Sequence, residues 1–137
     1  MLDQIDMAIL KCLLENARAQ WREIGEQVHL TGQAVGGRIR KMEEQGIIEG
    51  YTVRLNRGQL GQAIHALVTI FMKTADHAPF QEYIQKQPAI IEAHRISGEG
   101  CYLLKVSVPD QDTLNMLLDD ILRYGNYRVN MSIKQLK

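Results

Sequence analysis

The stretch from Trp21 to Met42 constrains this chain most, because its apolar residues fall into two short helical stripes separated by a turn. Ile24 and Val28 stand four residues apart, the spacing that puts two side chains on one helix face. Gly25 lies between them and removes the side chain that would hold off a second helix. His29-Leu30-Thr31 follow as the turn. Histidine is among the few non-glycine residues that tolerate a left-handed backbone, Leu30 is an apolar plug, and Thr31 offers a hydroxyl oxygen as cap for the next helix. That helix places Val35, Ile39 and Met42 inward at i, i+4, i+7 and leaves Gln33, Ala34, Gly36, Gly37, Arg38, Arg40 and Lys41 around its outer surface. Every charge within residues 31–42 is cationic.

Two helices joined by a tight turn, the second one cationic, is the layout of a helix-turn-helix, which lays its second helix in the major groove of DNA. Glutamine pairs with adenine edges, and arginine with guanine edges or phosphates. Thr31, Gln33, Ala34, Gly36, Gly37, Arg38, Arg40 and Lys41 are therefore the candidate DNA-binding set, with Gln33, Gly36 and Gly37 nearest the bases. The bland alternative is a solvated cationic face that binds nothing. The order of small residue, turn, capping threonine and cationic helix favours DNA over it. Gly36-Gly37 is discordant, since each glycine inside a helix costs about 1 kcal/mol relative to alanine. Either this helix is weak until DNA orders it, or its backbone approaches the phosphates unusually closely. Trp21 is expected half-buried against the preceding helix.

That preceding helix spans about Asp3 to Glu15, with Asp3 as N-cap, Asp6 in the first turn, and Ile5, Ile9, Leu10, Leu13 and Leu14 as its buried stripe. Gly46 ends the helical pattern after the cationic helix, and Ile47 to Leu55 alternates like a strand, which makes the linker structured.

With these segments in view, the chain resembles the Lrp/AsnC (leucine-responsive, or feast-famine) transcriptional regulators nearly from end to end. The resemblance rests on Leu2-Asp3-Gln4-Ile5-Asp6 with Ile9-Leu10, on Arg38-Ile39-Arg40-Lys41-Met42-Glu43, on Gly46-Ile47-Ile48-Glu49-Gly50-Tyr51, and on Leu60-Gly61. It implies an α+β protein: an N-terminal three-helix, winged-helix-like domain over residues 1–50, a linker over 51–61, and a C-terminal ferredoxin-like βαββαβ domain over 62–137. In such proteins the second domain dimerises and can bind an amino acid.

The residues of the second half agree with that order. Ala63 to Met72 reads as a strand with Ile64, Ala66, Val68, Ile70 and Met72 on one face, and Ala63, Leu67 and Phe71 with His65 and Thr69 on the other. A helix follows from about Pro79 to Gln87 with Phe80, Tyr83 and Ile84 inward. Ile90 to Ser97 and Tyr102 to Val108 read as strands, Asp110 or Asp112 opens a helix on Leu114, Leu117, Leu118, Ile121 and Leu122, and Tyr127 to Leu136 alternates as the last strand. Helices cover one side of such a sheet, so the other apolar side of the first strand needs a second subunit. A homodimer is expected, and higher assemblies such as tetramers or octamers are compatible with it.

Charge points the same way. The chain carries 16 Lys and Arg against 16 Asp and Glu, and a net charge of zero disfavours a general polyanion binder. One subunit offers few cations for phosphate neutralisation, so multiplied heads are needed, and a two-fold pair reads half-sites about one helical turn apart.

Ser97 to Cys101 is the expected effector turn, because amides freed by glycines can hold a carboxylate in a small nest. Gly98, Glu99, Gly100, Cys101 and Tyr102 are its candidate residues. Relatives commonly carry a bulky residue and then an aspartate before the aromatic, where this chain has Gly100 and Cys101. A plain hairpin turn is the competing reading.

Other chemistry is thin. Cys12 and Cys101 lack Cys-x-x-Cys spacing, and His29, His65, His77 and His94 form no ligand-spaced cluster, so neither a metal nor another cofactor is expected. No phosphate-binding glycine loop or nucleophile elbow argues for an enzyme. The start does not look like a signal peptide, and the longest apolar run is too short to span a bilayer, which leads to a cytoplasmic expectation without a membrane partner. A sequence-specific regulator binding double-stranded DNA, tuned by an amino acid, is the leading expectation. Its rivals are an architectural protein that wraps or bends DNA, and an interaction module whose head no longer grips DNA.

Overall fold

A computed structural model describes all residues from Met1 to Lys137. The chain divides into two compact units, Met1–Arg54 and Leu55–Lys137.

The first unit holds three helices, α1 (Gln4–Glu15), α2 (Trp21–Val28) and α3 (Gly32–Glu44). Helix α1 begins with a reciprocal capping box, in which the Asp6 amide donates to Asp3 Oδ1 at 2.8 Å and the Asp3 amide donates to Asp6 Oδ2 at 3.1 Å. Helix α2 ends at His29, whose φ of 59° and ψ of 43° make it the one non-glycine residue with positive φ. Thr31 then caps α3, its Oγ1 accepting from the Ala34 amide at 3.1 Å. Ile9, Ile24, Val35, Ile39 and Met42 are buried together, one or more from each helix.

Four local expectations need correction. Leu14 is 87% exposed rather than part of the buried stripe, because five residues after the buried Ile9 it points about 140° around the helix from it, beyond the width of an apolar stripe. It borders a groove of about 640 Å³ with Leu10, Leu13, Ile48 and Tyr51. A side chain at Gly25 would strike the Leu30 carbonyl, so Gly25 makes room for the turn, not for a helix. Ile47 to Leu55, expected to alternate as a strand, forms none, because no other strand of the chain pairs with it, and Tyr51, Val53 and Leu55 are exposed. Finally, Trp21 lies on α3 instead of α1.

The second unit opens with a 3-10 turn at Arg57–Leu60 that the sequence pattern did not announce. Then come β1 (Ile64–Met72), α4 (Ala78–Lys86), β2 (Ile90–Arg95), β3 (Tyr102–Val108), α5 (Gln111–Ile121) and β4 (Gly125–Met131). The sheet is antiparallel throughout in the order β2-β3-β1-β4, a βαββαβ topology. Strand β4 stops at Met131, short of Leu136, because Met131 already pairs with Ala66 and β1 offers almost no further partner. Both helices pack on one face, where Phe80, Leu114, Leu117, Leu118 and Ile121 meet Ala66, Val68, Ile70, Tyr102, Leu104, Val106 and Val108.

The opposite face of the sheet is mixed instead of uniformly apolar. Leu67, Phe71 and Leu103 occupy its middle, while Glu92, His94, Lys105, Asn126, Arg128 and Asn130 stand around them in the strand register. Leu67 is 39% exposed, and the Arg128 guanidinium sits 5.4 Å from the centre of the Phe71 ring.

Candidate nucleic-acid interface

Helix α3 is held on three sides of its own unit. Its inward residues Val35, Ile39 and Met42 are at most 2% exposed, which fixes which residues face away. Gln33, Gly37, Arg40 and Lys41 recur at i, i+4, i+7 and i+8, so they form a ridge on the side opposite the core, and all four are exposed. Ala34 is exposed beside them. Thr31 acts as the cap that starts the helix, one turn before the ridge.

Two members of the expected set are elsewhere. Arg38 is bound within the unit: its Nη1 donates to Asp3 Oδ2 at 2.7 Å and to Asp6 Oδ1 at 2.9 Å, and its side chain is 31% exposed. Hydrogen bonding to Asp3 and Asp6 raises the Arg38 pKa above the ordinary arginine value, and bonding to Arg38 holds the Asp3 carboxyl below its ordinary 3.8. Charge-assisted bonds of this kind compete directly with phosphate for the guanidinium. Arg38 therefore fastens the start of α1 to the middle of α3, and its positive charge is offset by two carboxylates.

Gly36 is the second correction. It is buried, and a Cβ there would run into the six-membered ring of Trp21. The awkward glycine pair thus splits into two cases. Gly36 leaves room for an indole, whereas nothing lies within 4 Å of a Cβ added at Gly37. Neither glycine interrupts α3, which runs unbroken from Gly32 to Glu44 because packing outweighs their low propensity.

Trp21 is the residue whose role sequence reasoning missed. Its indole covers Gly36 and has the Arg40 guanidinium 5.6 Å from its centre. Gly36 and Arg40 are one helical turn apart, so the signal was present in their spacing but named no partner.

The glycine turn between β2 and β3 differs in kind. Gly98 and Gly100 have φ of 101° and 93°, a conformation L side chains rarely adopt. A Cβ at Gly100 would press on the Thr69 methyl at 2.5 Å. The Cys101 amide donates to the Ile70 carbonyl at 2.7 Å, and the Cys101 carbonyl accepts from the Ile96 amide at 2.9 Å and from Arg95 Nη1 at 2.8 Å. Both main-chain groups of Cys101 are thereby committed to the fold. Tyr102 is corrected more firmly: it is 3% exposed, stacked edge-on against Phe80, and its hydroxyl accepts from Gln81 Nε2 at 2.9 Å and lies 3.0 Å from His77 Nδ1. Alternation along β3 sends Tyr102 to the core and away from the turn. Gly98 and Glu99 are exposed and Gly100 is half-buried, with Glu99 3.7 Å from Arg128.

Cys12 and Cys101 are free thiols, and no three His, Cys, Asp or Glu side chains converge as metal ligands. No helix is long and apolar enough to cross a membrane.

Compared with known proteins, residues 2–43 match the AsnC-type helix-turn-helix domain, and residues 65–137 match the Lrp/AsnC ligand binding domain. The chain is 49% identical over 136 residues to the HTH-type transcriptional regulator LrpB of Bacillus subtilis, covering 99% of this chain and 91% of that protein. It is 35% identical over 124 residues to the leucine-responsive regulatory protein of Escherichia coli, covering 88% of this chain and 76% of that one. Among solved structures, B. subtilis LrpC aligns with a TM-score of 0.95 at 30% identity, covering 100% of this chain and 98% of the other. A transcriptional regulator of Neisseria meningitidis in complex with L-methionine aligns with a TM-score of 0.93 at 25% identity, covering 100% and 93%.

Proposed function

The chain belongs to the Lrp/AsnC family of DNA-binding transcriptional regulators, and from that premise we propose that α3 enters the major groove with the ridge of Gln33, Gly37, Arg40 and Lys41 toward the duplex. The observation that carries this reading is the ridge itself: four exposed residues without an acid among them, on a helix whose other sides are fixed by packing and by Arg38. Gln33 faces base edges, Lys41 meets phosphate, and the bare backbone at Gly37 permits close approach. Thr31 serves as cap, and Ala34 lies at the edge of the contact. Gel-shift titrations against salt test it. Lys41→Ala lowers the slope of log affinity against log salt by about one per head engaged, and Gln33→Ala relaxes preference at one base pair by about 1–3 kcal/mol. Unchanged slopes and preferences in both variants would remove α3 from the interface.

The assembly is a homodimer closed through the helix-free face of the sheet, and pairs of dimers extend it to larger particles. Support comes from the arrangement of that face, apolar at Leu67, Phe71 and Leu103 and polar around them, as in protein interfaces. Leu67→Glu dissociates the assembly in sedimentation, whereas a monomeric wild type or an intact variant contradicts this face. A short palindromic footprint marks a local switch; protection repeating every helical turn over a long stretch marks DNA wrapping.

An amino acid is the effector, received at Gly98, Glu99 and Gly100, and the protein works in the cytosol beside its DNA. The turn supports this through its left-handed glycines, and the Neisseria relative with bound L-methionine supports the ligand class. Calorimetry with the common amino acids checks it, and an absence of heat together with unchanged DNA affinity sinks it.

A further inference from the structure

Helix α3 carries three cations, and the structure treats each differently. Arg38 is claimed by Asp3 and Asp6, and Lys41 stands in solvent with four flexible bonds behind its ammonium. Arg40 is exposed, yet its guanidinium lies over the indole of Trp21, 5.6 Å from the ring centre. The indole in turn rests against Gly36, where a methyl group would collide with it. Side chains on a helix lean toward its N-terminus, so Arg40 reaches back along the turn that begins at Gly36 and meets the ring there. Trp21 itself starts α2 and is 42% exposed, so part of its ring is spent on α3 while the rest stays open.

We propose that Gly36 and Trp21 form a socket that orients Arg40, making Arg40 the specificity-determining cation of this surface and a guanine edge its target. The proposal rests on the reading of α3 as the DNA-facing helix. A planar guanidinium recognises the two acceptors of guanine in parallel, and that geometry is sensitive to orientation in a way a phosphate contact is not. An arginine already stacked on an aromatic face loses less freedom on binding, because the plane of its fork is set beforehand. Lysine at the same position has no plane to stack, and its ammonium reaches guanine acceptors without a preset orientation, so it discriminates bases less. Trp21 is thus a positioning residue acting through Arg40. The glycine at position 36 follows from the same device, since no larger residue leaves room for the ring.

Sites selected from a random duplex pool by the full-length protein test this, with Trp21, the single tryptophan of the chain, as an internal reporter. Wild type selects a guanine at one fixed place in each half-site, and its tryptophan emission changes on adding that duplex. Arg40→Lys and Trp21→Ala lose the preference at that one place, with affinity for the selected site falling about two- to fivefold for each head engaged in Trp21→Ala. Trp21→Phe restores most of it, because a ring face remains. Gly36→Ala, which retains the tryptophan but displaces it, reproduces the loss and shifts the emission of the free protein. Circular dichroism establishes that each variant is folded. A folded Trp21→Ala or Gly36→Ala with wild-type base preference overturns the proposal, as does a Trp21→Phe as defective as Trp21→Ala. If Gln33→Ala and Lys41→Ala are also silent, the whole α3 reading falls; if they weaken binding while the Trp21 and Gly36 variants do not, the socket alone is wrong.

Discussion

The helical unit and the sheet unit are stabilised on different scales. Five residues, Ile9, Ile24, Val35, Ile39 and Met42, make up the buried cluster of the first, against twelve in the second. A unit of this size buries a modest fraction of its surface, so local devices weigh more in it. The Asp3–Asp6 capping box, the left-handed His29, the Thr31 cap and the Arg38 tie all lie in the helical unit. The sheet unit is capped too, Asp110 accepting from the Thr113 amide at the start of α5, but it adds the larger layered core, and it uses a left-handed glycine, Gly100, where a turn must pass close to β1. The difference also separates the two candidate sites: α3 presents side chains on a rigid rod, and the Gly98–Gly100 turn presents backbone.

Core truncations break this comparison most directly. Ile39→Ala destabilises by about 2–5 kcal/mol and Phe80→Ala by about 3–5 kcal/mol, but in different units. In urea, Trp21 fluorescence reports the helical unit and far-ultraviolet circular dichroism the whole chain. Ile39→Ala moves the fluorescence transition to lower urea ahead of the dichroism, and Phe80→Ala does the reverse. Coincident shifts in both variants would mean that the chain unfolds as one cooperative block.

The turn gives the next effect. Gly100→Ala costs about 1–3 kcal/mol, since it combines a positive φ with the Thr69 methyl and the Ile70 carbonyl. Gly98→Ala costs less, because its surroundings are open. Melting temperatures in the reverse order would show that the close approach to β1 is not what selects glycine. In the helical unit, Thr31→Ala costs about 1 kcal/mol through the lost cap, and Thr31→Ser recovers most of it. A serine variant no better than alanine would assign the effect to the lost methyl group.

The smallest effect is the acid limb of the Asp3–Arg38 contact. Bonding to Arg38 lowers the folded pKa of Asp3 below its ordinary 3.8, so the folded state favours the carboxylate more than the unfolded chain does. The stabilisation is therefore full at neutral pH and fades as pH falls through 3.8 toward the folded value. Between about pH 7 and about pH 3, Trp21-detected stability of the wild type declines more than that of Asp3→Asn, which lacks the titrating group. Parallel pH curves would show that this contact contributes nothing to the unit.

Local chemistry made much of the fold legible. His29 and Thr31 announced their backbone roles because a left-handed cap and an N-cap depend on neighbours within three or four residues. The order of strands and helices in the sheet unit followed from strand alternation and from the helical spacing of Phe80, Tyr83 and Ile84 and of Leu114, Leu117, Leu118 and Ile121. Arg38 and Tyr102 were misread for the opposite reason. Asp3 and Asp6 are 35 and 32 residues from Arg38, and Gln81 is 21 residues from Tyr102, so no window along the chain pairs them.

From its sequence alone this chain determined a cationic second helix after a capped turn, an α+β division, and the family that both imply. Periodicity and capping are properties of adjacent residues, and they survive without knowledge of the fold. Only the tertiary structure decided which of the three cations is held by carboxylates of its own unit, that Gly36 leaves room for Trp21 while Gly37 stands open, and that Tyr102 belongs to the core. Those outcomes depend on which distant side chains arrive at the same place, and that is set by packing.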